Sequence, residues 1–112
     1  DSMPSLESVL KELPSVNAIA TLEILEKLCR NVINAPEDEK FRRIRLSNGK
    51  IKTHVTDVPA AVDSLRVMGW LMEGADALAL PTSVQLSVDE HLVKILDSKL
   101  YFKHKAGHDD PD

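Results

Sequence analysis

The sequence predicts an α+β fold: a helical bundle packed against a small antiparallel β-sheet. Three observations point there. Apolar residues recur at helical spacing in the segments around residues 6, 24, 62 and 92. Two short apolar runs, "WLM" and "ALALP", and then "SVQLSV", separated by Gly74 and by Pro81-Thr82-Ser83, suggest a small antiparallel sheet. Ser87 and Glu90 form a capping box ahead of a final helical stretch. With 112 residues, the chain is long enough for one domain and one modest core.

The first segment, "PSLESVLKEL", places Leu6, Val9, Leu10 and Leu13 on one helical face, with Pro4 in the first turn and Pro14 as the stop. In "NAIATLEILEKLCRNVI", Asn17 is the expected N-cap, and Ile24, Leu25, Leu28 and Val32 share a face. Pro36 is expected to open a third helix. Glu37, Asp38 and Glu39 lie in its first turn and Arg42, Arg43 and Arg45 follow, the order that the helix dipole favours. "SNGKIKTHVTDVP" leaves two readings open. Ile51, Thr53 and Val55 alternate as in a strand, while Asn48 as cap with Ile51, Val55 and Val58 reads as a short helix. After Pro59, Val62, Leu65, Val67 and Met68 give another helix, and Gly69 suits its C-terminal stop. "WLM", "ALALP" and "SVQLSV" supply the sheet, and "VDEHLVKILDSKLYF" the last helix. Residues 1–4 are expected to be linker, 5–103 the domain, and 104–112 a polar, frayed tail.

Composition narrows the function. The chain is 43% hydrophobic and 29% charged, as in ordinary globular domains, and only 4% aromatic, so aliphatic side chains must fill the core. A net charge of −4 argues against nucleic acid as the main partner. The lone cysteine, Cys29, cannot form an internal disulfide, which favours a reducing compartment, cytoplasmic or nuclear. No apolar run approaches the ~18 residues of a membrane span. The chain starts at Asp1 without a signal-peptide pattern, as expected of a piece of a longer intracellular protein.

Catalytic and metal motifs are scarce. His104 and His108 stand four apart, a spacing that can hold zinc on a firm helix, but Gly107 and the polar tail weaken that helix. The serines fall at helix starts and in turns, where capping explains them, and no GxSxG is present. Asp38/Glu39 and Asp89/Glu90 fall in first helical turns. The four glycines are scattered, without a phosphate loop. The expectation is a domain that is not an enzyme and uses no cofactor and no metal.

The most distinctive stretch is "NAPEDEKFRRIRLSN", residues 34–48. On a helix, Phe41, Arg45 and Asn48 stand at i, i+4 and i+7, flanked by Lys40 and Ile44. In the plain structural reading, Phe41 and Ile44 are core, the arginines a solvated rim, and Asn48 a cap. The stretch resembles the signature segment of the PUB domain, the module of peptide:N-glycanase and UBA- or UBX-containing proteins, with the form N-P-x-D-E-K-[YF]-R-x-I-R-x-x-N. "VPAAVDSLRVMGW" is similar to the family's apolar helix ending in Gly-Phe, and the likeness covers roughly residues 5–103.

The resemblance implies an adaptor that docks the C-terminal tail of the valosin-containing-protein AAA ATPase, an acidic run followed by an apolar and an aromatic residue. It would thereby recruit its host to the ubiquitin and ER-associated degradation machinery. Carried over by position, Phe41 would pack on the ligand's leucine and aromatic. Lys40 and Arg45 would meet its acids or terminal carboxylate. Asn48 would bond its backbone, Asn31 would be a second polar contact, and Ile51 and Gly69 would form the groove wall. Two departures stand out. Cys29 occupies a position where some members carry a rim tyrosine, and Gly69-Trp70 replaces Gly-Phe. The first motivates an alternative, a PUB-like scaffold that has lost tail binding and recognises another protein. In either case the expected unit is a monomeric domain that engages neither nucleic acid nor membrane.

Overall fold

The computed structural model describes residues 5–108, the last three of them by backbone alone. The 1–4 linker with Pro4, residues 109–112 and the side chain of His108 lie outside the described residues. The elements run α1 (Leu6–Leu10), α2 (Ala18–Asn34), a 3-10 turn (Glu39–Arg42), β1 (Arg43–Arg45), α3 (Gly49–Ile51), α4 (Pro59–Met68), β2 (Leu71–Glu73), β3 (Ala77–Ala79) and α5 (Val93–His108). Wider π-type turns extend α3 over Lys52–Thr56 and lead into α5 over Val88–Leu92. This is the α+β fold expected, helices against a small antiparallel sheet.

The helices enclose the core because their apolar stripes face one another. Leu10, Leu22, Leu25, Leu65 and Ile95 are fully buried, and Trp70 plugs the interior beside them with 0% exposure. Ser5 caps α1, its side chain accepting from Ser8 N–H. Asn17 stands at the expected cap position of α2 but makes no side-chain cap bond, and its Oδ1 is buried without a hydrogen bond among the described residues. Glu26 of α2 accepts from Lys99 of α5 at 2.9 Å and pairs with Arg30 on its own helix, clipping the two long helices together. The Lys99 contact, followed by Arg30, holds the Glu26 carboxyl below its usual range against the opposing effect of burial. At the far end, α5 runs on through His104 to His108, so the expected frayed tail begins as helix.

The sheet has the order β1-β3-β2, antiparallel throughout. Ile44 pairs with Leu78 and Arg43 with Ala79; on the other side Leu71 pairs with Ala79. Gly74, with a positive φ of 70°, helps turn β2 into β3. "SVQLSV" is not a strand: no strand is formed between Ala79 and the turn at Val88, and Val84 instead packs under Gly69.

The larger correction concerns residues 36–48, which do not form a helix. The chain makes one 3-10 turn and then enters β1, where alternation sends Arg43 and Arg45 outward and Ile44 inward. Arg42 explains why. It is 5% exposed. Its Nε donates to Pro36 O at 2.7 Å, and its Nη1 to Pro81 O at 2.8 Å and Val84 O at 3.0 Å. Its own carbonyl accepts from Leu80 N–H at 2.7 Å. One guanidinium thus binds the turn to the 81–84 loop and holds β1 against β3.

Candidate functional site

An open groove of about 420 Å³ lies between α2, β1 and the start of α3. Helical spacing builds its first wall: Ile24, Lys27, Leu28 and Asn31 of α2 line it at intervals of three and four residues. Their neighbours Leu25, Cys29 and Val32 face the core instead. β1 supplies Ile44 at the floor and Arg43 and Arg45 at the edge. The third wall is Asn48, Lys50 and Ile51. Asn48 caps α3 through Oδ1, which accepts from Lys50 N–H at 3.2 Å and Ile51 N–H at 3.4 Å. Its amide nitrogen makes no hydrogen bond among the described residues, which leaves a donor for a ligand.

The floor is therefore aliphatic, with Ile24, Leu28, Ile44 and Ile51, and the rim is cationic, with Lys27, Arg43, Arg45 and Lys50. Of these four cations, only Arg43 enters an ion pair among the described residues, with Glu73. Among the described residues, no serine, cysteine, histidine or carboxylate lines the groove. It can bury apolar side chains and attract acids.

Of the residues singled out in the sequence, the structure brings Asn31, Ile44, Arg45, Asn48 and Ile51 into this groove. Lys40 and Phe41 do not line it. Lys40 borders a neighbouring depression with Glu39, Arg43 and Arg45, and its Nζ sits 5.2 Å from the Phe41 ring centroid. Phe41 is half-buried and packs against the core. The proposed helical stripe of Phe41, Arg45 and Asn48 dissolves because turn, strand and cap follow in sequence where one helix was expected. Gly69 also lies elsewhere. With φ 118° it ends α4 in the left-handed region, and a Cβ there would meet Val84 Cγ1 at 2.8 Å. Its close approach is to the 81–84 loop, not to the groove.

Sequence reasoning missed Lys27, Lys50 and Arg43. The α2 signal was available, since Lys27 is three residues after Ile24 and four before Asn31. Cys29 proves to be a core residue, 1% exposed, with burial pushing its thiol up to about 11.

The fold and a groove with an aliphatic floor and a basic rim suit an interaction module. Comparison with known proteins makes this specific. The PUB domain family matches residues 16–94, and the chain belongs to that family. It is 37% identical over 51 residues to Plant UBX domain-containing protein 2 of Arabidopsis thaliana, covering 46% of this chain and 11% of that protein. It is 33% identical over 79 residues to the E3 ubiquitin-protein ligase RNF31 of Homo sapiens, covering 70% of this chain and 7% of the ligase. The chain thus spans only a small part of the length of these relatives. A PUB domain is a protein–protein interaction module linked to ubiquitin pathways, not a catalytic unit.

Proposed function

We propose that the groove between α2, β1 and α3 docks the acidic, Leu-aromatic C-terminal tail of the valosin-containing-protein AAA ATPase. The domain thereby recruits its host to ubiquitin-dependent and ER-associated degradation in the cytoplasm or nucleus. The observation that carries this reading is the pairing of an aliphatic floor with four cations and two amides at its edge. The tail's leucine and aromatic pack on Ile24, Leu28, Ile44 and Ile51. Asn31 and Asn48 bond its backbone, and its acids meet Lys27, Arg45 and Lys50, with Lys40 extending the basic edge.

Burying two large apolar side chains gives roughly 1.5–3 kcal/mol each before ordering costs. Acids against a cationic rim add a salt-screened increment. With about 3–6 kcal/mol from the two side chains, the backbone bonds of Asn31 and Asn48 and the charge increment supply the rest of the roughly −8 kcal/mol that micromolar affinity requires. Such affinity suits a recruiter whose target is multimeric, because avidity supplements each contact. The test is a titration of Arg45→Glu and Lys27→Glu, both exposed positions, with a tail peptide. Roughly tenfold weakening in each is expected, with unchanged circular dichroism. Wild-type affinity in both variants would remove the ligand from this groove.

A further inference from the structure

Arg43 belongs to two environments at once. It lines the groove, and its Nε also contacts Glu73 Oε1 at 2.6 Å across the outer face of the sheet. The register explains how the contact crosses a strand. Arg43 stands opposite Ala79, and Glu73 opposite Ala77, so the two side chains meet diagonally over the alanines of β3. Short side chains in the middle strand leave room for the long ones to reach over it. Both partners remain solvent-accessible, with side chains 61% and 45% exposed, so the pair is free to exchange. The guanidinium faces Glu39 as a second, more distant carboxylate. Lys27, Arg45 and Lys50 have no such intramolecular partner among the described residues.

We propose that Glu73 acts as a built-in competitor for the ligand: its carboxylate occupies Arg43 in the free domain, and an acidic residue of the bound peptide must share or displace it. The inference rests on the tail-docking reading above and adds regulation of that same groove. A ligand with one acid is then served by the three unpaired cations, and only a more acidic ligand gains from Arg43. Glu73 thereby sets how much negative charge a ligand must carry. It also limits capture of weakly acidic peptides, a form of selection against the wrong partner.

The experiment is a double-mutant cycle on the intact domain, titrating wild type, Glu73→Gln, Arg43→Ala and the double variant at low salt with one peptide that carries a run of several acids before Leu-Tyr, acidic enough to engage Arg43. An exposed ion pair is weak, so Glu73→Gln should tighten binding by roughly two- to fivefold. Arg43→Ala should weaken it, and adding Glu73→Gln to Arg43→Ala should change nothing further. Equal or weaker binding by Glu73→Gln, with wild type binding normally, overturns the competitor role and leaves tail docking intact. The same tightening in the Arg43→Ala background also overturns it, since the gain would then be long-range charge alone. If the wild-type domain does not bind the peptide, tail docking fails and the competitor role falls with it.

Discussion

Replacing Arg42 by alanine tests the claim that this arginine, unlike its neighbours 43 and 45, is part of the interior. Three carbonyls lose their donor: Pro36 O, Pro81 O and Val84 O. Hydrogen bonds from a charged group contribute about 1.5–3 kcal/mol each, but they are not additive. Pro36 is exposed and Pro81 and Val84 are half-buried, so water restores part of the loss. A net cost of about 3 kcal/mol follows, at the upper end of what losing a buried hydrogen-bond network costs. For a domain of this size that lowers the melting temperature by roughly 10–20 °C. Lysine should not rescue it, because a single ammonium cannot span three carbonyls as the guanidinium fork does. Urea unfolding followed by circular dichroism, with an unchanged m-value, gives the number. A loss below about 1 kcal/mol would refute the argument that Arg42 holds β1 in place.

Gly69→Ala should destabilise the domain by about 1–3 kcal/mol in the same assay, since it combines a left-handed backbone with a 2.8 Å approach to Val84; wild-type stability would show that α4 can end without it. His91 should titrate below 6.5, first because burial disfavours its charged form, opposed by nearby Glu90. Its Nδ1 also accepts from Ser87 N–H at 3.0 Å, which only a neutral ring can do. The unfolded chain therefore takes up the proton first, and stability falls as pH drops below about 6.5 while remaining unaffected by this group above it. An imidazole NMR titration with a midpoint above 6.5 would contradict this. Thr21→Val should cost about 1–2 kcal/mol, because the buried hydroxyl donates to His54 O at 2.6 Å; a neutral effect would mean that contact is dispensable.

The helices were legible because their signals are local. Ser87 accepts from Glu90 N–H, one half of the expected capping box, while its own N–H donates to His91 Nδ1 instead of Glu90, and Gly69 ends α4 as its position after Met68 suggested. The Asn48 cap, one of the two open readings, is the one adopted. β1 was not legible, since "RIR" offers one apolar residue, and an acidic-then-basic run mimics a dipole-matched helix. What makes it a strand is non-local: pairing with Ala77–Ala79 and the bonds from Arg42 to a loop some 40 residues away. The groove was legible in part for the same reason. Asn31, Arg45 and Asn48 were reached through family resemblance, and Lys27 was open to its helical spacing from Asn31, but Lys50 joins them only once α3 converges on β1. Phe41 and Gly69 were drawn to the groove by the same resemblance, yet packing places both elsewhere.

The central claim is that this groove holds an acidic, Leu-aromatic tail. Isothermal titration of the domain with a peptide ending in acidic residues followed by Leu-Tyr, at two salt concentrations, addresses it directly. Binding near micromolar that weakens as salt rises is expected from an aliphatic floor with a cationic rim. Absence of heat and of competition at millimolar peptide, or affinity indifferent to salt, would contradict it.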